Sequence, residues 1–566
     1  MKEEVVKILS QAINNLNIDF SKDKIFQMIT TPPSHDMGDF AFPCFALAEK
    51  RQEEVTRLAL EIRGEIKKIP KTFEAIETKG PYINFFLNRK EMARSLIQQI
   101  LLRGDNYGKS VMGKSEKTML EYPSPNTNKP LHIGHLRNIC IGQSMSNILE
   151  FHKEKIIHAN LNNDRGIHIC KSMAAYKLYG KNKKPGKRKS DHFVGDFYVM
   201  FGQKEKHSKK LELESHRLLQ KWESQDKETL ELWSKMNKWA FDGFNETYKK
   251  LDIKFDREYY ESQIYEKGKQ IVEEGLKKKI FTKRKDGAVE INLGKKLGKK
   301  ILLRMDGTSV YMTQDLYLAI LKSKQYKLTK SIYITGNEQD YHFEVLFKIL
   351  EKLGFKNLNM QHLSYGMVNL PTGKIKSREG TKGITIDEIL DNTQKIVKKE
   401  LTKREKLGKK ELEKRSKIIA LSAIRYALLK IDMKRNMIFN PEKSTNFEGD
   451  TGPYLLYSYA RANSILKKVK AENSNFEIQD LESVEIKLIK KLENFQETLH
   501  KSYKEFNPAL IANYSYELCQ IFNEFYHECP VLHSDNSDFR INLVKSFKQI
   551  LKNSLDLLEI KTLEKM

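Results

Sequence analysis

Two histidines three residues apart are the first side chains in this sequence whose spacing suits chemistry. His132 and His135 lie in the segment SPNTNKPLHIGH, between a strand-like apolar run and a helical pattern. At the start of a helix, positions i and i+3 project to nearly the same side, beside backbone N–H groups that have no partner within the helix. Gly134 between them lets a ligand approach the backbone. Two neutral donors at a helix N-terminus suit a polyphosphate, although a lone HxxH pattern also occurs among capping and core histidines.

A second polar segment could bring positive charge to the same ligand. Residues 373–381 read GKIKSREGT and lie between a strand-like run and a helix that begins near Asp387. Lys374, Lys376 and Arg378 of this segment can donate charge-assisted hydrogen bonds to phosphate oxygens. The two segments together predict a phosphate-binding site, which neither would predict alone.

The elements that must position these segments alternate between strand and helix. Apolar runs predict strands at 118–122, 155–159, 331–335 and 364–370, and a helix over 133–152. Strand–helix–strand order predicts a parallel α/β sheet, where ligands bind at the carboxyl ends of the strands. A helical insertion is predicted over about 170–260, and one of its helices places Trp233, Met236, Ala240 and Phe244 on a single face that we interpret as core.

Two further domains are predicted around this sheet. Residues 1–112 combine helical patterns with an apolar strand at 82–87 and predict a small α+β domain. After about residue 385 only helices are predicted, including one over 539–560. The predicted fold class is therefore multidomain α/β, with an α+β domain over 1–112, a parallel-sheet domain over 113–395 and an all-α domain over 396–566.

The composition limits the classes of protein to consider. Lys and Arg total 100 against 74 Asp and Glu, and the net charge of +26 favours a polyanionic partner such as nucleic acid. Hydrophobic residues make up 39% of the chain, which excludes a mainly disordered protein. Five widely spaced cysteines predict neither a disulfide framework nor a zinc site. Without a signal peptide or a long apolar span, we expect a cytoplasmic protein that does not enter a membrane.

One motif misleads. Residues 108–115, GKSVMGKS, match the phosphate-loop pattern GxxxxGK[ST]. That motif requires a preceding strand and a following helix, whose N-terminus faces the phosphates. Here a helical pattern precedes the match and a strand-like run follows it, so we interpret the segment as a basic linker.

The chemistry-bearing segments resemble a known family. SPNTNKPLHIGH and GKIKSREG resemble the HIGH and KMSKS signatures of class I aminoacyl-tRNA synthetases, in the same order. The arginyl branch is favoured by NNDRGIH at 162–168, DGTSVYMTQDL at 306–316 and GNEQDYHF at 336–343. The sequence also resembles the tRNA-binding domains of that branch. The similar segments are HDMGDFA at 35–41, GPYINFF at 80–86, FEGDTGPYLLYSYAR at 447–461 and FYHECPV at 525–531. The resemblance covers nearly the whole chain.

The resemblance implies a Rossmann-like catalytic domain, an anticodon-binding helical bundle and a two-step reaction. Arginine would be activated by ATP to arginyl-adenylate and then passed to the 3′-terminal ribose of tRNA(Arg), releasing AMP and pyrophosphate. Magnesium would accompany ATP, and neither a tightly bound cofactor nor a protein-bound metal is expected. By resemblance, the ATP-binding and catalytic residues are His132, Gly134, His135, Lys374, Lys376, Arg378 and Lys129.

One departure from the family pattern concerns the second signature. Ser377 stands where the KMSKS pattern has its second lysine. Either Lys376, one place earlier, or Lys129, before the first motif, would then supply the missing charge. The arginyl branch often lacks that lysine.

The resemblance also implies an amino-acid pocket and surfaces for tRNA. Glu121 and Asp315 would pair with the guanidinium of arginine, because a buried guanidinium needs carboxylate oxygens in fork-like geometry. Tyr311 would add a hydroxyl, and Asn126 and Gln339 would orient the backbone end of the amino acid. The tRNA-binding residues implied are Tyr82, Asn84, Tyr454, Tyr457 and Arg461, on a chain expected to act as a monomer.

Three other readings remain open at this stage. A class I synthetase for another amino acid would not be expected to place Glu121 and Asp315 together. A catalytically silent relative that only binds RNA would have no need of both histidines, Lys374 and the pocket residues. A DNA-binding regulator would place its phosphate contacts on a helix-turn-helix rather than at the ends of a sheet.

Overall fold

The computed structural model describes residues 1–34, 37–180, 182–205, 208–371, 384–469 and 476–566. These residues form two compact units. The first comprises Met1–Gly104, Lys468–Glu493 and Glu524–Gln549, and the second comprises Asp105–Lys467, Asn494–Asn523 and Ile550–Met566. Among the described residues, no helix has the length and apolar character needed to cross a membrane.

The first unit contains a three-stranded antiparallel sheet covered by helices. Its N-terminal elements are α1 (Lys2–Asn15), α2 (Lys22–Met28), β1 (Phe40–Pro43), α3 (Phe45–Arg51), α4 (Val55–Glu65), β2 (Phe73–Lys79), β3 (Tyr82–Leu87) and α5 (Arg89–Arg103), with strand order β1-β3-β2. Val5, Leu9 and Ile13 recur at helical spacing on α1 and pack in one core with Phe42 and Phe85. The predicted α+β character and the strand at 82–87 are confirmed.

The second unit is built on a parallel sheet. Its strands are β4 (Lys117–Glu121), β5 (Lys155–Asn162), β6 (Arg257–Tyr260), β7 (Thr282–Lys283), β8 (Val289–Asn292), β9 (Lys299–Leu303), β10 (Lys330–Gly336), β11 (Asn359–Tyr365), β12 (Val368–Asn369) and β13 (Met437–Ile438). Five of them form a sheet of order β11-β10-β4-β5-β6, in which every pair is parallel. This confirms the predicted α/β sheet, while β7, β8 and β9 form a separate antiparallel sheet that was not predicted.

Most of the other elements are helices. The helices between β4 and β11 are α6 (Ile133–Phe151), α7 (Ile167–Ala175), α8 (Ser190–Glu205), α9 (Lys209–Glu223), α10 (Lys227–Leu251), α11 (Glu261–Ile264), α12 (Gly268–Lys277), α13 (Tyr311–Tyr326) and α14 (Asp340–Lys352). The later helices are α15 (Ile386–Arg404), α16 (Lys409–Leu429), α17 (Pro441–Ser444), α18 (Gly452–Leu466), α19 (Ser483–Glu493), α20 (Phe495–Glu505), α21 (Ala509–Glu528) and α22 (Ser537–Leu557). Of these, α19 lies in the first unit, and α21 and α22 contribute residues to both units.

The helical insertion predicted between β5 and β6 is confirmed as α7 to α10. On α10, Met236, Ala240 and Phe244 are buried and Trp233 is partly buried. The Trp233 indole N–H donates to the Asp164 carbonyl at 2.6 Å. The aromatic face of this helix is therefore core, as the spacing predicts.

The prediction that one strand covers 364–370 and that only helices follow is wrong in detail. β11 ends at Tyr365, and β12 leaves the main sheet to pair with β13 far along the chain. The break is fixed by Arg137 of α6, which is fully buried and donates to the carbonyls of Gly366 at 2.7 Å and Arg435 at 2.8 Å. A two-residue strand of this kind has too little apolar pattern to be predicted from sequence.

The elements on either side of residues 108–115 differ from those that flank a phosphate loop. The segment follows α5 and a short 3₁₀ turn at Gly104–Asn106, and it leads directly into β4. The Gly113 N–H donates to the His152 carbonyl at 2.8 Å. With no helix after it, the segment lacks the N-terminus that would bind phosphate.

Candidate active site

The N-terminus of α6 lies at the carboxyl end of β4 and is capped by the two histidines. The Nδ1 atom of His132 accepts from the Gly134 N–H at 3.2 Å, and Nδ1 of His135 accepts from the His132 N–H at 3.1 Å. The two rings are nearly stacked, with centroids 3.9 Å apart. Because each ring uses Nδ1 as an acceptor, the proton of a neutral imidazole lies on Nε2. Both histidines are therefore donors through Nε2–H.

The charge state of the pair follows from its surroundings. Burial, followed by the charge of Lys129, lowers the pKa of His132 to about 3. Burial, His132 and Lys129 together hold the pKa of His135 well below its usual value. Both rings are neutral near pH 7, which gives fixed hydrogen-bond donors without a titrating charge.

The first cavity opens in front of this helix end and has a volume of about 270 Å³. The residues of its wall that matter here are Lys129, His132, Gly134, His192, Tyr365 and Glu388. The structure thus places Lys129 beside the histidines, as the sequence suggests. Lys374, Lys376, Ser377 and Arg378 lie outside the described residues.

A second cavity of about 350 Å³ has both histidines in its wall. It brings together four of the five residues predicted to bind the amino acid: Glu121, Asn126, Asp315 and Gln339. These come from the end of β4, the loop after it, α13 and the turn before α14. The walls of both cavities include His132, Gly336, Glu338 and Tyr365, so the two spaces adjoin.

Asp315 has a histidine as its partner. Its Oδ2 lies 2.7 Å from Nε2 of His342, with 31% and 28% of the two side chains exposed. The hydrogen bond to Asp315 raises the pKa of His342, against the opposing effect of burial. His342 was not singled out from the sequence, although it lies in the quoted segment GNEQDYHF.

Glu121 has a lysine as its partner. The Lys322 ammonium contacts Oε2 of Glu121, and both residues are buried. Burial lowers the pKa of Lys322 to about 7. Sequence reasoning missed Lys322, although a lysine seven residues after Asp315 falls on the same face of α13 as apolar Leu318 and Ala319.

Tyr311 is not in the second cavity. It begins α13, has 64% of its surface exposed and lines a neighbouring cavity of about 440 Å³ with Arg165 and Glu261. Burial, more than any neighbouring charge, raises the pKa of the Glu261 carboxyl to about 7. The predicted role of Tyr311 at the guanidinium therefore stays a prediction that this placement does not support.

The residues predicted to bind tRNA have different surroundings. Tyr82 is 38% exposed and packs edge to face against Phe45, whereas Asn84 is only 4% exposed. On α18, the Arg461 guanidinium donates to the Tyr457 hydroxyl at 3.2 Å and lies over its ring. Asn523 joins Arg461 to the Tyr454 hydroxyl, so these three α18 residues form one cluster. Their contacts with tRNA stay predictions.

Among the described residues, Asp191, His192 and Asp387 form one group with the spacing to hold a metal ion. The Asp387 carboxylate is already contacted by the ammonium groups of Lys189 and Lys250, each at 2.8 Å. A metal ion there would have to displace two cations. We interpret the group as an ion-pair network that joins α8 and α10 to α15.

Comparison with known proteins identifies the family. Three family models match in order along the chain: Arginyl tRNA synthetase N terminal domain over 3–87, tRNA synthetases class I (R), catalytic domain over 96–441, and DALR anticodon binding domain over 455–566. An arginine–tRNA ligase of Treponema denticola is 40% identical, covering 99% of this chain and 98% of that protein. One of Borrelia garinii subsp. bavariensis is 41% identical, covering 100% and 99%.

Solved structures agree at the level of the fold. The arginyl-tRNA synthetase of Thermus thermophilus is 23% identical, covers both chains completely and superposes with a TM-score of 0.72. That of Plasmodium falciparum is 21% identical with a TM-score of 0.71. From the matched catalytic domain and the full-length relatives, the chain belongs to the arginyl-tRNA synthetase family of class I aminoacyl-tRNA synthetases.

Proposed function

We propose that the first cavity binds ATP and the second binds arginine in an arginine–tRNA ligase. The observation that carries this assignment is the shared wall formed by His132, Gly336, Glu338 and Tyr365. Because the two cavities adjoin at these residues, an arginine carboxylate in the second cavity can approach the α-phosphate of ATP in the first. Placing two reactants in adjoining sites in this way removes much of the entropic cost of their reaction.

In the first step, an arginine carboxylate oxygen forms a bond to the α-phosphorus of ATP, and the bond to pyrophosphate breaks. Charge spreads over the phosphate oxygens during this displacement, and fixed donors stabilise it. The Nε2–H group of His132 supplies such a donor in the first cavity, and Lys129 supplies charge beside it. His135 supplies a second donor next to His132, from the wall of the second cavity. Magnesium arrives with ATP as part of the substrate.

In the second step, a hydroxyl of the 3′-terminal ribose of tRNA(Arg) attacks the carbonyl carbon of the adenylate, and AMP leaves. No covalent intermediate with the protein is required. Lys374, Lys376 and Arg378, whose placement lies outside the described residues, remain candidates for closing over the phosphates. Lys376 and Lys129 remain the two alternatives for the charge that Ser377 does not provide.

Recognition of arginine falls to the second cavity. Asp315 accepts from the guanidinium, Glu121 faces it from β4, and Asn126 and Gln339 orient the backbone end. An analogue without the guanidinium has no group to donate to Asp315, and a site built to hydrogen-bond its substrate discriminates by about 10⁴ or more without an editing step.

For tRNA, we propose contacts from Tyr82 and Asn84 in the first unit and from Tyr454, Tyr457 and Arg461 in the second. We further propose the domain limits 1–112, 113–395 and 396–566, action as a monomer and a cytoplasmic location. The matched N-terminal and anticodon-binding families support the first of these proposals.

The experiment that tests the function is charging of total tRNA with each of the twenty amino acids, with ATP, magnesium and the purified chain. Arginine alone should be charged. Charging by another amino acid would keep the class of enzyme and overturn the pocket assignment. No charging despite tRNA binding would favour a silent RNA-binding relative.

A further inference from the structure

Two acids of the second cavity, Glu121 and Asp315, already contact a cationic or protonatable side chain of the protein, and the two contacts differ in kind. Asp315 and His342 are about one-third exposed, so a ligand can reach between them. Glu121 and Lys322 have 8% and 1% of their side chains exposed. The first contact is open enough to be exchanged for a ligand, whereas the second is almost completely buried, although Glu121 and Lys322 both line the cavity.

The environment of Lys322 fixes its ammonium group. Its Nζ lies 5.1 Å from the ring centroid of Tyr259 on β6 and 5.3 Å from that of Tyr333 on β10. Burial disfavours the charged form of Lys322, whereas both aromatic faces and, more strongly, the Glu121 carboxylate favour it. Lys322 contacts Oε2 of Glu121, while Glu121 also lines the cavity.

We propose that Lys322 is a positioning residue for arginine recognition: it neutralises Glu121 and holds one of its oxygens, so that Asp315 is the acid whose protein partner the guanidinium displaces. This proposal rests on the assignment of the second cavity to arginine. It changes the prediction that Glu121 and Asp315 act as two equivalent acids.

The charges of these four residues explain why a lysine belongs here. With Lys322 charged and His342 neutral, Glu121, Asp315 and Lys322 leave one net negative charge for one guanidinium. Without the lysine, two buried acids would face a single cation, and a buried carboxylate that loses its partner tends to take up a proton. Among the described residues, and apart from these four, the titratable groups in the wall of the second cavity are His132, His135, Tyr333, Glu338 and Tyr365, and Tyr259 lies beside Lys322.

The test begins with Lys322→Met. We expect the KM for arginine to rise by about tenfold or more, with an unchanged KM for ATP, because truncating one partner of a buried charge pair leaves the other uncompensated. The KM for arginine of this variant should also fall as pH rises, because an unpaired buried carboxyl takes up a proton at low pH and loses it at high pH. His342 titrates in both proteins, so comparison with a variant that also lacks the Glu121 carboxyl isolates that group.

A double variant separates positioning from packing. In Glu121→Gln/Lys322→Met the Glu121 carboxyl is gone, so the KM for arginine should stay raised, while the pH dependence that an unpaired Glu121 gives to Lys322→Met disappears. Lys324→Met, at an exposed lysine of the same helix, is the matched control and should change neither KM. If Lys322→Met does not fold, Lys322→Gln keeps a donor for Glu121 without the charge and undergoes the same test.

The outcomes separate this proposal from the assignment beneath it. Wild-type protein that fails to charge tRNA with arginine would remove the proposed function itself. Wild-type protein that charges arginine, with a KM that Lys322→Met or Lys322→Gln leaves unchanged at every pH, would overturn the role of Lys322 alone. An equal rise in both KM values, or the same pH dependence in the double variant, would also overturn it, since either result indicates general packing.

Discussion

At the scale of single residues, the site depends on which groups are charged and which are not. The two α6 histidines are kept neutral by burial and by Lys129. Glu121 and Asp315 each have a protein partner before any substrate arrives. The histidine donors for phosphate are therefore present without rearrangement of protons, and both acids are already held by neighbouring side chains.

The first prediction at this scale concerns the exchangeable acid. Asp315→Asn should raise the KM for arginine by about tenfold or more, because a charge-assisted hydrogen bond becomes a neutral one. The KM for ATP should change little, as Asp315 lies outside the first cavity. Steady-state charging assays with each substrate varied in turn measure both constants. Asp242→Asn, at an exposed acid of α10, is the control, and equal effects of Asp315→Asn on both substrates would contradict its place in the pocket.

The second prediction concerns pH. Asp315 raises the pKa of His342, so as pH falls His342 gains its proton earlier than an ordinary histidine and then competes with the guanidinium for Asp315. The KM for arginine should therefore rise as pH falls through neutrality, while the KM for ATP should not. His342→Gln should flatten the arginine profile. An unchanged profile in this variant would assign the titration to another group.

At the scale of elements, the N-terminus of α6 sets the geometry of the phosphate site. An added Cβ at Gly134 would lie 3.0 Å from Cε1 and 3.1 Å from Nδ1 of His132. The imidazole would have to move away from the position in which it accepts from the Gly134 N–H. The backbone of α6 and the imidazole of His132 therefore fix the position of the Nε2–H donor together.

The prediction that follows is for Gly134→Ala. We expect kcat/KM for ATP to fall by roughly tenfold or more, because a small displacement of a positioned donor is costly. The free energy of unfolding should change little, since alanine favours a helix. Gly64→Ala, on α4 with open space around it, is the matched control. ATP kinetics equal to wild type would show that the ring does not need its present position.

Elements with strong periodicity could be predicted from sequence, and weak ones could not. The parallel strands β4, β5 and β10 are apolar runs, and α6 lies within one residue of its predicted end. β2 alternates buried Phe73 and Ile76 with charged residues on its exposed face, and it was missed. The pairing of β12 with β13 depends on Arg137 and three distant carbonyls, which no local pattern records.

At the scale of the whole molecule, the charge of +26 is an electrostatic property that several segments share. Binding of tRNA should weaken by about tenfold or more between ~50 mM and ~200 mM salt, because neutralised phosphates release counterions. Filter binding of tRNA(Arg) over this range measures the slope, and the KM for arginine in the same buffers is the control. A flat response would show that the excess charge does not contact tRNA.

The sequence by itself determined the family, the order of domains and the chemical types at the site. Short motifs carry this information because the chemistry requires particular side chains at fixed local spacing, such as His132 and His135 one turn apart. The buried face of a helix such as α10 and the alternation of strands with helices also follow from periodicity.

Only the tertiary structure decided which residues share a partner. The contact of Lys322 with Glu121 joins residues 201 positions apart, and His342 reaches Asp315 from the next helix. In the structure Tyr311 lines a neighbouring cavity, and Asn84 is buried. These facts depend on how α13, α14 and the sheet pack together, because the electrostatic environment of a side chain is set by its neighbours in space and not along the chain.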